Sequence, residues 1–171
     1  MKTKLILLAA LFTLVSTSVS ARSYNQQSDF QSQNSNHHSQ TRIYKIGDVY
    51  EENGKKGVVF SISNNGKHGR IVSIQETQCS WEDAKVWCSQ LGNDWTMPTK
   101  QDLKTICYLR INKDIITQFN KESSWRWDVD YWTGNEAEND ESSAIIVYMH
   151  NGLAYRTYKF NHNYVRAVST F

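Results

Sequence analysis

The sequence predicts an α+β domain, with two helices packed on small antiparallel sheets. Three observations carry that expectation. Two β-branched runs come first, joined by a segment rich in turn residues. Two apolar-periodic segments with helix-start signals follow, and the chain then returns to short runs punctuated by Asn, Gly and His. Strands, then helices, then a β-meander is the order of an α+β fold, whereas a doubly wound sheet alternates the two.

The ordered region begins at Ile43. Tyr44 to Tyr50 reads as a short strand and Asn53-Gly54 as a turn. Gly57 to Ser63, with Val58, Val59, Phe60 and Ile62, and Arg70 to Gln75, with Ile71, Val72 and Ile74, read as strands. Between them Asn64-Asn65-Gly66-Lys67-His68-Gly69 is rich in residues that tolerate positive φ, so the pair reads as a hairpin. Ser80 and Asp83 form a capping-box-like pair, and Trp81, Ala84, Cys88 and Leu91 fall on one face before Gly92 ends the first helix. Thr99 and Asp102 repeat the arrangement just after Pro98. Leu103, Ile106, Cys107 and Arg110 then mark one side of the second helix, which Leu109 widens. A third helical turn is expected around Asp114 to Phe119. Tyr131-Trp132-Thr133 reads as a short strand, Ala144 to Met149 as a continuous apolar one, and His150-Asn151-Gly152 as a turn. Ala154 to Phe160 alternates, and Tyr164 to Ser169 closes the chain as a further strand.

The N-terminus reads as an export signal over residues 1–21. Lys2 and Lys4 give a positive start, Leu5 to Val15 an apolar run, and Val19-Ser20-Ala21 a small-residue cleavage site. The run is too short for a membrane span, which needs ~20 apolar residues, and nothing later in the chain is apolar enough for one. Residues 22–42 are mostly Ser, Gln, Asn and His. Such a segment buries too little surface to offset its ordering entropy, and a flexible tether is expected. The domain itself is expected over residues 43–171. Together these features point to a secreted, periplasmic or cell-surface protein.

The chain has 19 basic and 17 acidic residues, and Lys2 and Lys4 leave with the signal. The remaining 17 against 17 give no net charge and no basic face, which argues against nucleic acid as a partner. Six Trp, nine Tyr and six Phe supply a large apolar area for one core. Cys79, Cys88 and Cys107 are an odd set in an oxidising compartment, so the core and not a disulfide framework must carry the stability.

Within this pattern lies a resemblance. Cys79-Ser80-Trp81-Glu82-Asp83-Ala84-Lys85-Val86-Trp87-Cys88-Ser89-Gln90-Leu91-Gly92 resembles the first-helix signature of C-type-lectin-like domains. Trp95-Thr96-Met97-Pro98-Thr99-Lys100-Gln101-Asp102-Leu103 resembles the Trp-x-[Leu/Met]-Pro-Thr-x-x-[Glu/Asp]-Leu segment of a bacterial branch, the Lcl C-terminal-like domains. Tyr131-Trp132-Thr133-Gly134-Asn135-Glu136 resembles that branch's Tyr-Trp-Ser-Ser-x-Glu strand, and Tyr164 to Val168 its closing strand. The resemblance implies a C-type-lectin-like fold. It does not carry over calcium-dependent sugar binding, because the Glu-Pro-Asn or Gln-Pro-Asp loop and the Trp-Asn-Asp of animal lectins are missing and Pro98 is the sole proline. Formylglycine-generating enzymes share the broad fold, but their paired cysteines near the C-terminus have no counterpart here. The branch often pairs the cysteine that Cys88 resembles with one in the last strand, where this chain has Ala167. Cys88 is left to pair with Cys107 or Cys79, or to stay a buried thiol.

The chemistry-bearing residues are sparse. A Cys–His pair would need one of the three thiols beside His68, His150 or His162, yet Cys88 and Cys107 occupy core-facing helix positions. No Cys and His in the ordered region show zinc-ligand spacing, and His37-His38 reads as polar filler. No catalytic residue is assigned. Residues 123–143 combine Trp125, Trp127 and Trp132 with Asp128, Asp130, Glu136, Glu138, Asp140 and Glu141. Of the acids, Glu136, Glu138 and Asp140 are the calcium candidates, against the alternative of a solvated loop. Trp132 belongs to the core by its strand motif, which leaves Trp125 and Trp127 as candidate exposed ligand contacts. Tyr155, Tyr158 and His162 form a second candidate surface, since Tyr155, Thr157 and Lys159 alternate with Arg156, Tyr158 and Phe160 and one row should face solvent. The expectation is an exported, non-catalytic binding or adhesion module for an extracellular glycan or protein ligand, with no required cofactor. The alternatives are an enzyme in the direction of the formylglycine generators and a structural subunit of a surface or fimbrial assembly.

Overall fold

The computed structural model describes residues 42–92, 94–113, 117 and 125–171. The expected export signal, the tether apart from Arg42, and the expected helical turn at 114–119 apart from Thr117 lie outside the described residues. Strands β1 (Val49–Glu52), β2 (Lys55–Ser63), β3 (His68–Ser73) and β4 (Thr77–Cys79) precede helices α1 (Trp81–Gln90) and α2 (Lys100–Leu109). Strands β5 (Asp130–Ala137), β6 (Asp140–Tyr148), β7 (Leu153–Tyr158), β8 (Asn163–Val165) and β9 (Val168–Thr170) follow.

The strands form two sheets, ordered β1-β2-β3-β9 and β4-β8-β5-β6-β7, with every pairing antiparallel except β5 with β8. The β1–β2 hairpin turns on Asn53 and Gly54, both at positive φ, the geometry that two-residue hairpins favour. The first strand is shorter than the sequence suggests. Asp48 closes a turn at 45–48, its carboxylate accepting from the Lys45 amide at 2.8 Å, and pairing begins only at Val49.

Both helices start where their caps place them. The Thr99 hydroxyl accepts from the Asp102 amide and Asp102 accepts from the Thr99 amide, a complete capping box. At α1 the Ser80 hydroxyl accepts from the Asp83 amide and donates to the Asp83 carboxylate, so only half the box forms. Each cap contributes ~1 kcal/mol. Asp102 is also buried against Arg70 of β3, which ties the start of α2 to the first sheet.

There are two cores. Trp81, Ala84 and Cys88 of α1 pack with Val59, Ile71, Trp132, Ala144 and Ile146. Leu103, Ile106 and Cys107 of α2 pack with Val58, Phe60, Val72, Tyr131, Val147 and Met149. Adjacent residues of β2 and of β5 therefore face different cores, and the apolar run at 57–60 is continuous because both its faces are covered. The three cysteines are free thiols. Cys88 and Cys107 lie in different cores, which removes the pairing between them, and Cys88 is a buried thiol.

The C-terminal segment departs most from expectation. It is two short strands in different sheets: β8 pairs with β4 and β5, and β9 pairs with β3. Val165, Arg166, Ala167, Val168 and Ser169 are all buried, so no alternation separates a core row from a solvent row. At the crossing, Arg166 donates to the carbonyls of Ser73 at 3.0 Å and Ile74 at 2.5 Å, and its guanidinium is paired with Glu76 at 3.0 Å. Glu76 also accepts from the Tyr131 hydroxyl at 2.7 Å and from Arg126 at 2.9 Å.

Glu76→Ala is expected to lower stability by about 3 kcal/mol, because it leaves Arg166 buried without its carboxylate. Denaturant unfolding reads this as a lower midpoint at unchanged slope, and a loss under ~1 kcal/mol would mark the pair as surface-like. A pH dependence follows from Cys88. An unfolded thiol ionises near pH ~8.5, whereas burial pushes Cys88 up to about 12. The folded state keeps a proton that the unfolded chain gives up, so this stabilisation is complete below the unfolded value and is lost as pH rises through the folded one. Denaturant midpoints from neutral to alkaline pH measure it. Alkylation at pH 8 followed by mass spectrometry should label Cys88 only at the rate at which the fold opens.

Candidate functional site

Strand β7 is an edge of the second sheet, and it carries exposed apolar side chains along its length. Leu153, Tyr155 and Tyr158 are each about half exposed and Phe160 is 72% exposed. Both rows reach solvent, where a single row was expected. Tyr155 pairs opposite Ile146, on the α1 side of the sheet, and Tyr158 opposite Ser143, on the α2 side. Neither helix covers the edge. The structure thus separates Tyr155 from Tyr158 and brings Tyr158 to Phe160, whose rings stack at 5.3 Å with planes 9° apart. His162 is exposed in the following loop, where its carbonyl accepts from Gln78.

Beside the Tyr158 row two hollows share Arg156. One, of about 320 Å³, is lined by Lys100, Asn135, Glu136, Ala137, Glu138, Ile145 and Arg156. The other, of about 220 Å³, joins Arg156 to Asp140, Ser143 and Tyr158. The Asn135 carbonyl oxygen accepts from the first amide of α2 at 2.8 Å, so its side-chain amide is held in place at the seam of helix and sheet. Planar polar groups fixed next to a stacked aromatic pair suit ligands that offer both hydroxyl or amide groups and an apolar face. Lys100, Asn135 and Arg156 escaped the sequence reading because three distant segments supply them. Phe160 was visible, two residues along the same row as Tyr158.

On the α1 side, a cleft of about 400 Å³ lies between α1, residues 95–97 and β5. The ammonium groups of Lys85 and Lys159 stand 4.4 and 4.5 Å from the Trp81 ring centre. Lys159 also bonds Glu136 at 2.6 Å, and that bond, helped by Lys85, holds the Glu136 carboxyl below the usual range.

The tryptophan expectation needs correction. Trp125 is 5% exposed, stacked on Tyr131 at 5.0 Å and covered by the Arg166 guanidinium at 4.7 Å. Trp127 is partly buried against the same core, 5.7 Å from Trp125. Both rings fill the space beneath the sheet crossing, which their acidic neighbours in sequence conceal. Trp132 is in the core as expected, its indole N–H donating to the Cys79 carbonyl at 2.9 Å.

The acidic stretch is not a loop. Glu136 belongs to β5 and Asp140 to β6, and only Glu138 and Asn139 lie between the strands. Glu136 is committed to Lys159, and Asp140 accepts from the Ser142 amide and hydroxyl, which lower its carboxyl. Among the described residues no three His, Cys, Asp or Glu side chains gather as a metal would require. Glu136, Glu138 and Asp140, the calcium candidates, are thus not gathered into one cluster.

The thiols are equally unsuited to nucleophilic work in this arrangement. Burial raises Cys79, Cys88 and Cys107 alike, and a protonated thiol is a poor nucleophile. His68, His150 and His162 are exposed. No helix among the described residues is long and apolar enough to cross a membrane.

The structure is similar to botrocetin at 15% identity, over 64% of this chain and 94% of that one, with a TM-score of 0.40. It is similar to TC14, a C-type lectin from the tunicate Polyandrocarpa misakiensis, at 11% identity over 60% and 97% of the two chains, TM-score 0.32. Convulxin, a snake venom toxin, is similar at 10% identity over 75% and 97%, TM-score 0.36. No curated protein matches the sequence. The two helices on largely antiparallel sheets are the expected α+β class. The Lcl C-terminal domain model matches residues 53–169, from the β1–β2 turn into β9, and the chain belongs to the Lcl C-terminal domain family.

Proposed function

We propose that this chain is an exported, non-catalytic recognition module that binds an extracellular glycan or protein ligand along β7. The observation that supports this most is the exposed aromatic edge: Tyr158 stacked on Phe160, with Arg156 and the held Asn135 amide beside it. Aromatic rings at such an edge bury much area on binding at little conformational cost. The positive start, apolar run and small-residue site at 1–21 support export, and the polar composition of 22–42 suits a tether that presents the domain away from its origin. The raised thiols argue against a cysteine-based reaction.

A second reading, a structural subunit of a surface assembly, draws on the same strand. An edge strand with apolar side chains is a template for pairing with another chain.

One experiment separates the two. The purified protein is screened on a glycan array and against extracellular matrix proteins, with light scattering on the same sample. Selective binding that falls at least tenfold in Tyr158→Ala, with unchanged circular dichroism, is expected. Concentration-dependent self-association lost in Tyr158→Ala, without any ligand, would move the function to assembly. Ligand binding indifferent to both Tyr158→Ala and Arg156→Ala would remove β7 as the site.

A further inference from the structure

Four of the charges lining the two hollows beside the Tyr158 row have no ion partner. Lys100, Arg156, Glu138 and Asp140 take part in none of the ion pairs among the described residues. Glu136, the fifth, is answered by Lys159 at 2.6 Å. Two cations and two carboxylates remain, and they sum to zero. Arg156 and Asp140 line the same hollow without closing on each other. The hydroxyls of Ser142 and Ser143, and after them the charge of Arg156, hold the Asp140 carboxyl below its usual range. Asn135 adds a directed donor. Its oxygen is taken by the Lys100 amide at 2.8 Å, so its NH2 is left for something else.

This pattern selects a ligand chemistry. A charged group entering here meets its own sign as readily as its opposite, and must still be stripped of water. A hydroxyl suits the gap between Arg156 and Asp140, because one oxygen accepts from a guanidinium and donates to a carboxylate. An amide divides those roles between two atoms, a carboxylate has no proton to give and an ammonium has no lone pair to offer. The larger hollow repeats the arrangement, with Lys100 and the Asn135 NH2 as donors and Glu138 as acceptor. The rings beside it ask for something apolar. Tyr158 and Phe160 are 54% and 72% exposed, and their planes lie 9° from parallel. Hydroxyls carried on a ring whose faces are C–H groups describe a pyranose. At about 320 and 220 Å³ the hollows stand at or below the small end of ligand sites, the size of single sugar rings.

We propose that β7 binds an uncharged glycan, hydroxyls of one pyranose bridging Arg156 to Asp140 and a neighbouring sugar lying against Tyr158 and Phe160. This rests on the β7 reading and narrows its ligand from glycans and proteins at large to neutral sugars.

The test presents the purified protein with an array of neutral oligosaccharides, together with uronic-acid and amino-sugar counterparts of the same linkages, and measures each hit by calorimetry. Saturable binding of neutral oligosaccharides is expected, with their charged counterparts at least tenfold weaker. Arg156→Met and Asp140→Asn should each weaken neutral-sugar binding at least fivefold at a retained thermal midpoint. Absence of neutral-sugar binding overturns the proposal, as does a uronate or amino sugar bound as tightly as its neutral counterpart. Undiminished binding in Arg156→Met does the same. At an exposed position, that variant decides by itself if Asp140→Asn loses its native circular dichroism. A charged glycan or a matrix protein bound instead, and lost in Tyr158→Ala, would overturn the ligand class and leave β7 as the site. Binding indifferent to Tyr158→Ala and Arg156→Met alike would remove β7 as well.

Discussion

The two sheets are held together by one buried charge. Arg166 stands where the last stretch of chain leaves one sheet and enters the other. The chain changes sheets between β3 and β4 as well, and there the carbonyls of Ser73 and Ile74 accept from the guanidinium while Glu76 balances its charge. No apolar side chain does this, and a lysine ammonium lacks the planar fork that reaches two carbonyls and a carboxylate together. Trp125 lies against the guanidinium and Tyr131 stacks beneath Trp125, so the polar centre is roofed by aromatic rings and shielded from water. Both cores converge on this point, since Val165 and Ala167 belong to one and Val168 to the other.

That arrangement leaves little surface free for recognition. β2 at 57–60, β5 at 131–133 and β6 at 143–147 are covered on both faces, and the side chains there are spent on packing. The remaining freedom lies at the edge strand β7 and in the grooves where a helix meets the second sheet. The aromatic edge and the cleft beside α1 occupy those two kinds of place. They differ chemically: one is a row of projecting rings, while in the other Lys85 and Lys159 cover the buried Trp81 ring and Glu136 answers their charge.

Local signals carried most of the fold. The caps at Ser80 and Thr99 fixed both helix starts, and Asn53-Gly54 and the run at 64–66 marked their turns, because each is decided by neighbours in sequence. The closing segment misled because alternation is informative only when one face is wet, and between 165 and 169 neither is. Trp125 misled for a related reason: Asp128 beside it is exposed while the indole turns inward beneath an arginine more than forty residues away. In the site, Tyr155 and Tyr158 were legible as exposed tyrosines on a late strand. The neighbouring hollow was not, since Lys100, Asn135 and Arg156 come to line it only through tertiary structure. The β5–β6 turn was hidden for want of a glycine, with Asn139 taking the left-handed conformation in its place.

The free thiols set a race. Cys88 and Cys107 end in separate cores, so the native fold and a bond between these two sulfurs exclude one another. In an oxidising medium the unfolded chain can close that bond within seconds to hours, depending on the oxidant. A chain that buries its helices first is safe, since each sulfur is then out of reach of any oxidant. One that lingers is locked out of its structure by a covalent mistake that no amount of core stability repairs. In such a medium the placement of two side chains sets a kinetic demand beside the packing one: α1 and α2 must dock before the sulfurs meet.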